Sequence, residues 1–106
     1  MNPKSFKPFD ERCYELLLKI PKGKVTTYKE MAEALGCQAY RAVGGAMNRN
    51  PKLVMIPCHR VVKSNGYLGG YSSGKSRKLE LLRQEGVDVS ESGHIDLSKF
   101  LYSFSD

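Results

Sequence analysis

Thr27-Tyr28-Lys29-Glu30-Met31-Ala32-Glu33-Ala34-Leu35-Gly36-Cys37-Gln38-Ala39-Tyr40-Arg41-Ala42-Val43-Gly44-Gly45-Ala46-Met47-Asn48 reads as two short helices joined by a tight turn. Thr27 and Glu30 stand at the spacing of a capping box, in which each side chain satisfies a free backbone N–H at the start of a helix. That helix runs through Met31, Ala32 and Leu35, and Gly36 is placed to end it in the left-handed region. A second helix fits Ala39 to about Asn48, so the pair has the form of a helix-turn-helix with a glycine in the turn. Tyr40, Val43 and Met47 form a stripe suited to a core, whereas Arg41, Gly44, Gly45 and Asn48 fall on another. Two glycines inside a helix cost about 1 kcal/mol each relative to alanine. Two readings account for them: a face that approaches another backbone closely, with Arg41 protruding into a groove or base stack, or close packing within the protein with Arg41 solvated.

Upstream, Phe9, Cys13, Leu16, Leu17 and Ile20 recur at helical spacing, with Asp10 as N-cap and Pro21 as the stop. Cys13 lies on the buried stripe and reads as a packing residue. Pro21-Lys22-Gly23-Lys24 turns the chain into Val25-Thr26-Thr27. Downstream, Asn48-Arg49-Asn50-Pro51 breaks the second helix, because a residue before proline disfavours the α region. The apolar run Leu53-Val54-Met55-Ile56 is expected to carry the chain through the core. Arg60 to Ser64 and Tyr67 to Tyr71 flank Asn65-Gly66, the strongest short hairpin signal. After a helix-turn-helix such a hairpin reads as a wing. Tyr71-Ser72-Ser73-Gly74 is a loop rich in donors, followed by a helix from Lys75 to about Glu85 with Leu79, Leu81 and Leu82 inward and Gly86 as its stop. Ser90 to Gly93 form a turn, His94 reads as a surface residue, and Ile95, Leu97, Phe100, Leu101 and Phe104 cover one edge of the core.

These elements predict an α+β, mostly helical chain: a single winged helix-turn-helix-like DNA-binding domain spanning residues 1–106, with a short β-hairpin. At 106 residues the chain holds one core. It has no apolar run approaching the ~18 residues of a membrane span and no long apolar N-terminal segment, so an intracellular protein is expected, in the cytoplasm or at the nucleoid or nucleus. Three cysteines without a CxxC pair and two distant histidines argue against a disulfide framework or a metal site. Lysine and arginine exceed aspartate and glutamate by 17 − 11 = 6, a balance compatible with a polyanionic partner.

The chemistry centres on Pro57-Cys58-His59-Arg60. A thiol becomes a strong nucleophile as the thiolate, so a reactive cysteine needs a neighbour able to take its proton. His59 is adjacent, and Pro57 fixes φ and resists strand extension, which favours a turn that brings the two groups toward each other or toward a shared water. The competing reading is a small buried apolar residue.

Tyr28, the Arg41-Ala42-Val43-Gly44-Gly45-Ala46-Met47 segment, Asn50-Pro51 and Ile56-Pro57-Cys58-His59-Arg60-Val61, taken in this order and spacing, resemble the C-terminal active-site domain of the O6-alkylguanine-DNA alkyltransferases. The resemblance runs from about Phe9 to Gly86. It implies direct reversal of damage in double-stranded DNA by irreversible transfer of the alkyl group from O6-alkylguanine to Cys58, with no cofactor or metal, by a monomer acting once. The helix-turn-helix would enter the minor groove and the damaged base would be flipped out, a step that costs a few kcal/mol and less for a weakened pair. Arg41 would replace the flipped base in the stack, with Ala42, Gly45, Arg49, Arg60 and Tyr28 along the DNA. His59, through a water, would deprotonate Cys58, Glu85 would orient the imidazole, and Asn50 would brace the turn carrying the cysteine. Tyr28, Met47, Val61, Tyr71, Ser72 and Ser73 would line the base pocket, with the Tyr28 hydroxyl as the proton donor to the departing oxygen. Lys22, Lys24, Lys29 and Lys63 would add phosphate contacts with Arg49 and Arg60.

Typical members carry a further N-terminal α/β domain, sometimes with a structural zinc, which this chain is expected to lack. Short relatives include alkyltransferase-like proteins that bind lesions without accepting the alkyl group and usually have tryptophan at the acceptor position. This chain contains no tryptophan and keeps Cys58, so the catalytic reading leads.

Overall fold

The computed structural model describes residues 8–104. Its helices are α1 (Pro8–Leu17), α2 (Tyr28–Ala34), α3 (Tyr40–Asn48), α4 (Lys75–Gln84) and α5 (Leu97–Phe100), with a single 3-10 turn at Cys58–Arg60. Strands β1 (Thr26–Thr27) and β2 (Val61–Val62) pair in parallel, Thr26 opposite Val61 and Thr27 opposite Val62. The fold is therefore α+β and mostly helical, as the sequence predicts.

The helix-turn-helix forms as its capping chemistry dictates. Thr27 Oγ1 accepts from the Glu30 N–H at 3.0 Å, fixing the start of α2. Gly36, at φ +74°, turns the chain out of α2, and the Cys37 N–H closes back on the Ala32 carbonyl at 2.9 Å. Gly86 ends the α4 region in the same way at φ +93°. Helices α1, α2 and α3 bury Cys13, Leu17, Met31, Ala32, Val43, Ala46 and Met47 in one cluster that also holds Cys58 and Val61. Removing a side chain such as Leu17 from water contributes about 2 kcal/mol. Burial pushes the Cys13 thiol up to about 11, as suits an inert packing residue. A second cluster, under α4 and the tail, joins Val25, Val62, Leu82, Val87, Ile95 and Phe100. The tail thus covers one edge of the core, and Val25 clasps it through Val25 N–H to Phe100 O and Tyr102 N–H to Val25 O.

Several local expectations change in three dimensions. Asp10 lies inside α1 rather than capping it, and its carboxylate receives both arms of Arg49. The helix ends at Leu17, and Ile20 stays buried through a tight turn, its N–H on Leu17 O. Tyr40, read as a core residue, is 45% exposed because α3 begins there, before its inner stripe reaches α1. Leu53 to Ile56 do not cross the core. They form a tight turn closed by Ile56 N–H on Lys52 O, with Met55 74% exposed and only Leu53 and Ile56 packing inward. Val54 at its tip holds φ +72°, a conformation that costs an L-residue about 1–2 kcal/mol.

The Asn65-Gly66 turn forms, with Gly66 N–H on Lys63 O and Lys63 N–H on Tyr67 O. Its returning arm then bridges His94 instead of extending a ladder along 60–64. β2 is already paired with β1, which takes the outgoing arm away from the hairpin. His94 is accordingly half-buried, with its ring edge-on to Tyr67 at 4.9 Å and Nε2 3.0 Å from Asn65 O.

Candidate active site

The turn that presents Cys58 is set by Pro57 and Asn50. Pro57 precedes the 3-10 turn and the Cys58 N–H donates to Ile56 O at 2.8 Å. Asn50 Nδ2 donates to the same Ile56 carbonyl at 2.7 Å while its Oδ1 accepts the Lys52 N–H at 2.8 Å. The amide therefore straps both sides of the loop leading to the cysteine. Cys58 is 4% exposed at the edge of the main core. Burial pushes its thiol up, opposed by a hydrogen bond from Asn50 and by the charge of Lys78. A resting thiol in this setting keeps its proton at neutral pH and needs a base to act as nucleophile.

His59 is fully buried. Its Nε2 lies 2.9 Å from Glu85 Oε2, so an ionised Glu85 assigns the N–H to Nε2 and leaves Nδ1 as the acceptor. Nδ1 is buried without a hydrogen-bond partner among the described residues. Burial pulls the His59 pKa below its ordinary value against the opposing pull of Glu85, so the imidazole is neutral at pH 7 and able to take a proton. Burial alone would raise Glu85, but hydrogen bonds from Arg60 and His59 together hold its carboxyl below the ordinary range.

Arg60 departs from expectation. It is buried rather than facing a phosphate: Nε and Nη2 fork onto Glu85 at 2.9 and 2.8 Å, and Nη1 donates to Ile20 O at 2.6 Å. With all three nitrogens engaged, its role is to fix Glu85. Arg49 is likewise committed, its Nε and Nη2 on Asp10 at 2.7 and 2.9 Å, tying the end of α3 to α1. Among the lysines, Lys22, Lys29 and Lys63 are exposed, and Lys24 donates to Lys99 O at 3.3 Å. Lys29 and Lys63, with Tyr28, Tyr40 and Ser64, line an open groove of about 400 Å³.

On α3, Arg41 and Ala42 are exposed. The two glycines separate here. A Cβ on Gly45 would meet Arg49 Nη1 at 3.0 Å, so Gly45 makes room for the Asp10 bridge, but nothing lies within 4 Å of one on Gly44. Internal packing therefore explains Gly45 and not Gly44.

Tyr28 and Tyr71 are half-buried at the edge of the Cys58 cluster. Burial raises both phenols, and negative charge on Cys58 raises them further, which puts both rings within electrostatic reach of the sulfur. Tyr71 also stands edge-on to His59, with centroids 6.4 Å apart. Ser72 and Ser73 are exposed beside it, and Met47 is buried in the same cluster as Cys58. The Val61 N–H closes the 3-10 turn on Cys58 O, and its carbonyl accepts from Lys78 at 2.6 Å. That leaves one lone pair of the Val61 carbonyl for another donor.

Sequence reasoning missed Lys78, which is wholly buried. The signal was its position three and four residues before Leu81 and Leu82, on the inner stripe of α4. Among the described residues no cluster of histidine, cysteine, aspartate or glutamate could hold a metal, and no helix is long and apolar enough to cross a membrane. A concavity of about 570 Å³ lies beyond α4 around Arg83, Val89 and Asp96 and contains none of the predicted site residues.

Comparison with known proteins agrees with this arrangement. Residues 8–87 match the family model described as 6-O-methylguanine DNA methyltransferase, DNA binding domain. A methylated-DNA–protein-cysteine methyltransferase of Saccharolobus solfataricus is 50% identical over 84 residues, covering 79% of this chain and 54% of the relative. The chain thus spans about half the length of the curated relatives it matches. Among solved structures, the O6-methylguanine-DNA methyltransferase of Pyrococcus kodakaraensis superposes with a TM-score of 0.71 at 49% identity, over 76% of this chain and 47% of that one. S. pombe Atl1, in complex with damaged DNA containing O6-carboxymethylguanine, gives 0.81 at 30% identity, over 94% of this chain and 99% of that one. With most of its length matched by the family model and half of the aligned positions shared with a curated member, the chain belongs to the 6-O-methylguanine DNA methyltransferase family.

Proposed function

We propose that this chain, corresponding to the family's C-terminal active-site domain and acting as one domain and as a monomer, repairs O6-alkylguanine in double-stranded DNA by transferring the alkyl group irreversibly to Cys58. Its place of action is the DNA of the nucleoid or nucleus. The observation that carries this reading is the buried line from His59 to Glu85, with Arg60 holding the carboxylate and Nδ1 of a neutral imidazole left as an acceptor one residue from the cysteine.

The helix pair approaches the minor groove through the exposed Arg41 and Ala42 and the uncrowded Gly44. Arg41 fills the stack behind the everted base, which enters between Tyr28 and the Tyr71-Ser72-Ser73 loop. His59 takes the thiol proton through a water, and Cys58 Sγ attacks the alkyl carbon. The S–C bond forms as the C–O6 bond breaks, and the electron pair left on O6 is neutralised by the Tyr28 hydroxyl, which regains a proton from the His59 side. The product is guanine and a thioether. A dialkyl thioether offers only a poor thiolate leaving group, so each molecule acts once. Arg60 and Arg49 are structural in this scheme, and Lys29 and Lys63 beside Tyr28 supply phosphate contacts.

Incubation with duplex containing O6-methylguanine, followed by mass analysis of the Cys58 peptide, tests the proposal. One added methyl on Cys58 supports transfer; bound but unmodified protein would make the chain a lesion binder.

Two further outcomes are expected. Arg41→Ala weakens binding to lesion duplex by roughly 1–3 kcal/mol and slows transfer, while thermal unfolding stays within about 0.5 kcal/mol of the parent because the side chain is exposed. Unchanged affinity and rate would remove Arg41 from the interface. The single-turnover rate has an acid limb below the ordinary imidazole value of about 6.5, because the base works when neutral and burial lowers the His59 pKa. A limb at or above that value in a pH series contradicts His59 as the base.

A further inference from the structure

Lys78 is the bulkiest fully buried side chain among the described residues, and the scheme above gives it no part. It projects from α4 with no carboxylate in salt-bridge reach among the described residues. Instead its Nζ donates to Leu68 O at 2.5 Å, Val61 O at 2.6 Å and Gly70 O at 3.1 Å. Val61 leaves the turn that carries Cys58, whereas Leu68 and Gly70 lead into the Tyr71-Ser72-Ser73 loop. One ammonium therefore joins the two segments that flank the sulfur.

We propose that Lys78 is a positioning residue for alkyl acceptance, whose buried ammonium holds the Cys58 turn against the base-binding loop and stabilises the thiolate as it forms. The inference rests on Cys58 being the acceptor. Burial pushes Lys78 down to about 8, with negative charge on Cys58 opposing and Lys75 adding to the fall. The group still carries its charge at pH 7, and three carbonyls are satisfied by three N–H donors, which only the ammonium offers. Its charge in turn lowers the Cys58 and His59 pKa values. The other polar or titratable groups facing Cys58 are Asn50, Tyr14, Tyr28 and Tyr71, and none of these is a cation. Lys78 donates no proton in the reaction. It remains an ammonium while the thiol proton passes to His59.

The test is the pH profile of Cys58 alkylation by iodoacetamide, read by mass analysis of the Cys58 peptide, in the parent, Lys78→Met and Lys78→Arg. Lys78→Met should move the profile up by about one pH unit, making alkylation near neutrality about tenfold slower, and Lys78→Arg should restore it. A lysine that only braces the fold would lower the unfolding temperature and leave the profile unmoved, which would overturn the proposal. Should Lys78→Met not fold, NMR titration of Lys78 Nζ in the parent and in Cys58→Ser decides. The ammonium must persist to higher pH when Cys58 is present, and identical titrations overturn the inference. A parent that shows these couplings yet takes no methyl group from DNA would remove the repair reading and leave the Lys78–Cys58 coupling standing.

Discussion

A Cys58→Ala variant binds duplex containing O6-methylguanine as tightly as the parent and removes no methyl group from it. The loss of transfer is total because the sulfur is the only atom in the site that becomes an alkylated product. The fold should survive. Cys58 is nearly buried, but a cysteine is small, its replacement leaves little space, and a stability change of about 1 kcal/mol is expected. The loop around it is held independently of the sulfur, since Asn50 keeps both of its backbone bonds, to Ile56 O and from Lys52 N–H. Gel-shift titration with methylated duplex, paired with mass analysis of the protein afterwards, reads both quantities. Loss of binding together with loss of the thermal transition would make Cys58 a structural cysteine and end the repair reading.

Glu85→Ala has the second largest effect, and it falls on stability and rate together. Glu85 receives two bonds from Arg60 and one from His59, all within 2.9 Å. Without it the Arg60 guanidinium is left buried with only Ile20 O, an uncompensated charge that costs roughly 3–5 kcal/mol. His59 meanwhile loses the acceptor that fixes its tautomer, and transfer should fall at least about a hundredfold. Glu85→Gln separates the two effects. A neutral amide keeps the shape but offers one acceptor where the carboxylate offered two, so it regains one Arg60 bond without the counter-charge; stability is recovered only in part, while the imidazole loses its charged partner and the rate does not return. The acid dependence follows from the carboxyl being held below its ordinary range. Its contribution to stability is present above the unfolded value of about 4.3 and is lost as pH falls through the lower folded value, a dependence that Glu85→Ala removes. A variant that transfers at the parental rate would show that His59 needs no orienting carboxylate.

The near-complete burial of Cys58 has a functional reading. Burial raises the Cys58 thiol against the opposing pull of Asn50 and Lys78, so under the proposed scheme the resting sulfur is shielded from adventitious alkylation until a base enters. The strained Val54 turn is part of the same loop.

Legibility followed the range of the interaction concerned. The helix pair was readable because the Thr27 cap, the Gly36 exit and the Val43 to Met47 stripe act within one or two turns of chain. That Cys58 and His59 share one turn was readable because the two are adjacent, and Asn50 because its bonds go to Lys52 and Ile56. Glu85 was assigned by family resemblance alone; nothing local to Arg83-Gln84-Glu85-Gly86 points to a histidine 26 residues earlier. The ion pairs of Arg49 and Arg60 were hidden for the same reason, and burial takes only Arg60 away from the surface. Their partners lie 39 residues back at Asp10 and 25 residues on at Glu85, and a long cation looks solvated until the fold supplies a carboxylate.

The amino-acid sequence by itself determined the helix pair, the α4 segment and its Gly86 stop, and which cysteine stands beside a histidine, because capping, periodicity and glycine and proline geometry are local; the end of α1 at Leu17 and the short α5 were not legible. Only the tertiary structure decided which cations stay at the surface, that the Asn65-Gly66 turn hands its strand to His94, and that Lys78 is buried against the Val61, Leu68 and Gly70 carbonyls. Each depends on bringing together groups far apart in the chain, where desolvation and pairing outweigh the preference of any single residue.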